Sequence, residues 1–299
     1  MPSSGEPIFW FRAGGNGRVK LQPPWKNIGQ AWDAFLRFSP GCAEVVSSNE
    51  ILASHAKSPS ILLEEKGAGK YRIEWREIQK RADSPSRKQA ALREWQRAEL
   101  VRLGFLAFAT PSSQEENSRR LTSLAEFTLQ AQLELVRDKA PEVDRGGIGG
   151  FTVLALGKLG AGDINFFSDL DLIFLRGEGD DPEATLRLAR GLVAEMDAGA
   201  GDSIYRIDLR LRPEGDRGPL VTTQESLEDY YAAYGEVWER CAWIRARRVA
   251  GDGENAYELL QSLQPFTYPK GLSPSALGDR KSTRLNSSHE WISRMPSSA

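Results

Sequence analysis

Between residues 28 and 140 apolar positions recur every three or four residues. Leu92, Trp95, Leu103 and Leu106 fall on one side of a helix with Arg and Glu between them, and Leu121, Leu124, Ala131 and Leu135 do the same within Arg119–Arg137. The stretch Thr110–Asn117, with Pro111 and two serines, separates these helices, and Asp83–Ser86 reads as another loop. Tyr71–Trp75 fits either a short strand or the start of a helix. Residues 1–26 hold proline, glycine and separated aromatics, and read as extended or irregular.

The period changes near Gly146-Gly147-Ile148-Gly149-Gly150. Phe151–Leu156 is an apolar run of strand length, Gly157–Gly162 a glycine-rich loop, and Leu170–Leu175 a second strand. Asp181-Pro182-Glu183 opens a helix with a cap, a proline at the first position and an early acid; Leu188, Leu192 and Met196 are its buried stripe. Ile204–Leu211 alternates strictly, which predicts a half-buried strand. A helix is expected over Gln224–Tyr234 and a last strand over Trp243–Val249. The expected class is therefore α+β, with a helical domain (27–145) after an irregular start (1–26). A sheet-bearing domain (146–258) and the beginning of a further helical region (259–278) follow.

Composition narrows the classes of function. Apolar residues make up 40% and charged residues 27%, the balance of a globular chain. The formal net charge of −2 gives no basic surface for nucleic acid or an anionic membrane. Cys42 and Cys241 lack metal-type spacing, and His55 and His289 are far apart, which leaves little for a histidine-based zinc site or a serine–histidine triad. No apolar run approaches the ~20 residues of a membrane helix, and Met1–Pro7 lacks the pattern of a signal peptide. A cytoplasmic chain is expected. The last segment, Asp279–Ala299, reads in order as the translation of a sequencing-library adapter; it is expected to be non-native, with the natural chain continuing past Gly278 and His289 carrying no function.

The chemistry concentrates in two strands. Side chains alternate faces along a strand, so in Asp169-Leu170-Asp171-Leu172 the two carboxylates share one face and the two leucines the other. Paired carboxylates repel unless a cation sits between them, and an all-oxygen site suits Mg²⁺. In Ile207-Asp208-Leu209-Arg210-Leu211-Arg212, Asp208, Arg210 and Arg212 are expected to share a face. If the strands are neighbours, Asp208 joins the acidic pair, giving the three carboxylates that a two-metal phosphoryl-transfer site needs. Arg210 and Arg212 would then lie beside it, suited to phosphate oxygens. Upstream, Gly157-Lys158-Leu159-Gly160-Ala161-Gly162 lets backbone approach a phosphate and adds the Lys158 charge; it lacks the spacing of a Walker loop. Taken singly, each piece has a plainer reading. A lone DxD is common, and Arg210 and Arg212 could form a solvated strand face.

The order of glycine loop, DxD strand, helix and one-acid strand resembles the polymerase-β-like nucleotidyltransferase superfamily. More specifically, Gly157-Lys158-Leu159-Gly160, Ser168-Asp169-Leu170-Asp171-Leu172-Ile173-Phe174, Asp208–Gly215, Gly218-Pro219-Leu220-Val221, Tyr230-Tyr231, Trp238-Glu239-Arg240 and Arg245-Ala246-Arg247 resemble the glutamine synthetase adenylyltransferase family. The likeness covers roughly residues 90–255. It implies a polymerase-β-like domain with a mixed sheet, Asp169, Asp171 and Asp208 as catalytic metal carboxylates, and Gly160 and Ser168 shaping a phosphate pocket. It also implies Mg²⁺ as cofactor, glutamine synthetase as protein substrate, ATP, ADP or AMP and phosphate as small partners, and a PII-type signal protein in the full-length enzyme. Pro213-Glu214-Gly215, Tyr230-Tyr231 and Gly235 resemble the half of that family that removes AMP. Ala161, Phe167 and Cys241 depart from its pattern. Trp238-Glu239-Arg240 reads as an aromatic anchor with an ion pair, and Arg245, Arg247 and Arg248 as a substrate-protein surface or a solvated edge.

Overall fold

The computed structural model describes residues 10–12, 18–22, 24–56, 59–139, 149–197, 205–251, 253 and 255–271. The adapter-like tail, residues 272–278, Gly146–Ile148 and Ile204 lie outside the described residues. The fold is α+β, and the chain divides into two compact units. One comprises Met1–Ala140, Gly162–Ser168 and Ala194–Arg206; the other comprises Pro141–Ala161, Asp169–Val193 and Ile207–Ala299.

The first unit is helical apart from a two-stranded antiparallel ribbon, β1 (Trp10–Arg12) and β2 (Arg18–Lys20). Its helices are α1 (Ile28–Phe38), α2 (Pro40–Ser48), α3 (Glu50–Ala56), α4 (Ala68–Gln79), α5 (Pro85–Ala109) and α6 (Gln114–Lys139). Tyr71 and Trp75 are core residues of α4, so the ambiguous segment is helical. The expected loop 83–86 is shorter. Ser84 caps α5 by accepting from the Arg87 amide, and Pro85 takes the first turn, where its missing N–H costs nothing. The break at 110–117 is shorter too. Ser113 and Glu116 form a reciprocal capping box, with the Glu116 amide donating to Ser113 Oγ at 3.1 Å and the Ser113 amide to Glu116 Oε2 at 2.7 Å, so α6 starts at Gln114.

Leu92, Trp95, Leu103 and Leu106 are buried as their spacing implies, but α5 also buries Gln89, Gln96, Glu99 and Arg102. A central helix is enclosed on all sides, and its polar residues must then find partners indoors. Glu99 does so between Lys66 Nζ at 2.7 Å and Arg102 Nε at 2.8 Å. Around it Tyr71, Trp95 and Phe127 pack edge-on or tilted at 5.2–5.7 Å.

The second unit is built on a five-stranded mixed sheet: β3 (Thr152–Ala155), β4 (Leu170–Leu175), β5 (Ile207–Asp208), β6 (Val221–Thr222) and β7 (Arg247–Gly251), in the order β5-β4-β3-β7 with β6 also on β4. β3 is antiparallel to β4 and β7, whereas β5 and β6 run parallel to β4. The strands are joined by α7 (Gly157–Ala161), α8 (Pro182–Met196), α9 (Gln224–Ala233) and α10 (Val237–Trp243), and α11 (Asn255–Ser262) and α12 (Gln264–Thr267) follow β7. Asp181 caps α8 through the Glu183 amide at 2.8 Å, and Leu188, Leu192 and Met196 are buried as expected. Leu154, Leu156, Ile173 and Leu175 meet Leu227, Tyr231, Trp243, Leu259 and Leu263 in one apolar cluster. Trp243 ends a helix, so the last strand begins four residues later than the start of the expected Trp243–Val249. No helix among the described residues is long and apolar enough to cross a membrane.

Candidate functional site

β4 is the strand on which the site depends. Leu170 and Leu172 are fully buried, while Asp171 between them and Asp169 just before the strand are half-buried; the rest of the strand, Ile173–Leu175, is buried on both faces. β5 lies beside it in parallel, with Leu170 opposite Ile207 and Asp171 opposite Asp208. The condition set by the sequence is met: Asp208 is on the neighbouring strand, in register with Asp171.

The crowding has an electrostatic consequence. Burial first, then the charges of Asp208 and Asp169, push the Asp171 carboxyl up from its ordinary 3.8 to about 6, against the opposing pull of Arg210 and Lys158. Gly157 makes room for that carboxylate. A Cβ at Gly157 would lie 2.0 Å from Asp171 Oδ2, and the residue sits at φ +53, where a side chain is strained.

Other candidates are placed differently from the sequence expectation. The strand Ile204–Leu211 shortens to Ile207–Asp208, because the chain then turns: the Arg212 amide donates to Leu209 O at 3.3 Å and the Gly215 amide to Arg212 O at 2.9 Å. Turn bonds therefore replace ladder bonds, and the face shared by Asp208, Arg210 and Arg212 does not form. Arg210 instead folds back on Asp208, with Nε 3.0 Å from both carboxylate oxygens. Arg212 ties the turn to itself through Leu209 O at 2.9 Å, so it does not stand beside Asp208 as a strand neighbour. The turn ends on Glu214 (φ 60) and Gly215 (φ 56); Glu214 is the sole non-glycine at positive φ among the described residues. It forms one wall of an open cavity of about 610 Å³ with Pro213, Tyr230 and Tyr234.

The glycine-rich loop is a helical turn, α7, for most of its length. Lys158 on it is exposed, whereas Gly160 is buried against the protein's own backbone: a Cβ there would meet Arg245 O at 2.5 Å and Ala155 O at 2.7 Å. Gly160 thus serves close packing of the turn on the sheet. Ser168 is engaged with Asn165, accepting from its amide at 2.9 Å and lying 3.1 Å from its Oδ1.

Among the described residues no group of three acidic, histidine or cysteine side chains already forms a metal cage. The donor set still suits a hard cation, being all carboxylate oxygen, with the Asp171 carboxyl held up by burial and then by the charges of Asp208 and Asp169. Asp208 is also the member that Arg210 engages, with Nε 3.0 Å from both carboxylate oxygens.

The sequence profile of the glutamate-ammonia ligase adenylyltransferase family matches residues 32–262. The chain belongs to this family. Three relatives, each named bifunctional glutamine synthetase adenylyltransferase/adenylyl-removing enzyme, illustrate the likeness. The protein of Nitrosococcus oceani is 32% identical over 271 residues, 82% of this chain and 28% of its own length. That of Chromobacterium violaceum is 34% identical over 66% of this chain and 23% of its own, and that of Thioalkalivibrio sulfidiphilus 36% identical over 62% and 21%. The chain thus spans about a quarter of the length of the curated relatives it matches.

Further features of this adenylyltransferase-family chain were only partly visible in its sequence. In Trp238-Glu239-Arg240 the anchor is the later Trp243, since Trp238 is exposed. Glu239 is buried and takes the Glu236 amide at 2.8 Å and Tyr230 Oη at 3.2 Å, while Arg240 lies 5.1 Å from the Phe266 ring centre. Burial raises the Glu239 carboxyl above its ordinary value. The expected ion pair is replaced by a capping box and a cation–π contact. Gly157 and Arg247 carried only weak sequence signals, a glycine after a strand and a basic cluster.

Proposed function

We propose that this chain carries an Mg²⁺-dependent nucleotidyl-transfer site that acts on glutamine synthetase and removes AMP from its adenylylated tyrosine by phosphorolysis. The observation that carries the reading is the parallel pairing that sets Asp208 opposite Asp171, two residues from Asp169. Asp169, Asp171 and Asp208 would hold the cation. When bound, it supplies positive charge to the phosphoryl oxygens during an in-line displacement.

The protein's own groups divide the remaining work. Asp171 gives up the proton that crowding favours. Arg210, 70% exposed at its side chain, exchanges Asp208 for phosphate oxygens, and Lys158 adds a second charge. A phosphate oxygen bonds to the adenylyl phosphorus as the bond to the tyrosine oxygen breaks; that oxygen takes a proton, and ADP leaves. The likeness of Pro213-Glu214-Gly215 and Tyr230-Tyr231 with Gly235 to the AMP-removing half supports this direction. A PII-type signal protein would act on the longer enzyme. Adenylylated glutamine synthetase, phosphate and Mg²⁺ should yield ADP with this chain. Transfer of AMP from ATP without phosphorolysis would replace the reading by the forward reaction, and binding without turnover would reduce the chain to a recognition module.

A further inference from the structure

Arg247 opens β7 opposite Ala155, the last residue of β3 and two residues before α7. From there its guanidinium reaches over the end of that turn. Nε donates to the Gly160 carbonyl at 2.9 Å and Nη2 to the Leu159 carbonyl at 3.0 Å. These are carbonyls of the kind that a helical turn leaves without intrahelical donors. The backbone of Arg245 closes on Gly160 so tightly that only glycine fits. The other end of the turn is pressed on Asp171, with no room for a Cβ at Gly157, and the Lys158 charge acts on the same carboxylate.

We propose that Arg247 is a positioning residue for nucleotidyl transfer: by bridging two carbonyls of α7 it fixes the turn that sets Gly157 against Asp171. The proposal rests on the nucleotidyl-transfer reading above. A solvated strand edge would not place two bonds on buried backbone, as Arg247 does. Arginine suits the task because its planar fork spans two acceptors, whereas lysine presents its donors from one nitrogen.

The test uses the full chain as wild type, Arg247→Met and Arg247→Lys, with ADP release from adenylylated glutamine synthetase measured beside thermal unfolding. Arg247→Met should lower kcat about 10–100-fold, the cost of a small misplacement at a reacting centre. KM for the protein substrate should stay within about twofold of wild type, the folded fraction should be unchanged, and Arg247→Lys should recover part of the loss. A kcat within about twofold of wild type, or one that falls only with the folded fraction, overturns the proposal. If wild type itself releases no ADP, the functional reading fails separately, and hydrogen exchange then judges the positioning. The Gly160 amide should exchange about tenfold faster in Arg247→Met with the β4 amides unchanged; equal rates at Gly160 overturn it.

Discussion

Asp171 and Gly157 constrain one another. The Asp171 carboxyl titrates at about 6 rather than 3.8. A raised carboxyl stabilises the fold fully below its unfolded value, and that contribution is lost as pH rises through about 6. The difference between 3.8 and about 6 would amount to about 3 kcal/mol, and partial exposure reduces this to roughly 1–2 kcal/mol. Asp171→Asn should therefore raise the metal-free unfolding midpoint at pH 7 while abolishing turnover; a midpoint that falls instead would show that Asp171 is not held under repulsion. Gly157→Ala should do the reverse of a stabilising change. It forces a side chain into φ +53 and into Asp171 Oδ2, at about 1–2 kcal/mol for the backbone alone. Turnover should drop about a hundredfold or more, read against unfolding by denaturant, and near-normal activity would mean that the carboxylate has another place to sit.

At the scale of elements, periods and the Asp181 cap were legible, whereas the Ser113 cap and the turns were not. Asp181 before Pro182, the stripe Leu188–Leu192–Met196 and the strand Leu170–Leu175 were readable because local chemistry alone decides them. The start of α6 was misplaced because Ser113 and Glu116, read as loop, are a capping box. The alternation of Ile204–Leu211 suggested a longer strand than forms, since Arg212 and Gly215 amides bond within a turn whose geometry depends on φ at Glu214 and Gly215. In α5 the helical period found the apolar stripe but not the buried triad. Glu99 is held below its ordinary value although burial, the largest influence, opposes this; Arg102 and Lys66 outweigh it. A lowered carboxyl contributes stability above its unfolded value that is lost as pH falls through the folded one. Glu99→Gln leaves two buried cations with reduced compensation and should cost about 3–5 kcal/mol near neutral pH, with the gap to wild type narrowing in acid. Denaturant unfolding at pH 7 and at low pH reads both effects, and a loss under about 1 kcal/mol at pH 7 would deny the triad its role.

At the scale of the molecule, the chain order does not follow the two compact units. Segments Gly162–Ser168 and Ala194–Arg206 belong with the helices, although they interrupt the sheet-bearing part of the sequence. Family membership rests on a match across residues 32–262, and the carboxylate pairing rests on the sheet of one unit. The measurement that tests the account most directly is ADP release from adenylylated glutamine synthetase by wild type and Asp171→Asn side by side, with phosphate and Mg²⁺ present. Wild type should release ADP in a phosphate-dependent way, and a folded Asp171→Asn protein should do so at a rate lower by at least about a hundredfold. Equal rates from the two would contradict the account.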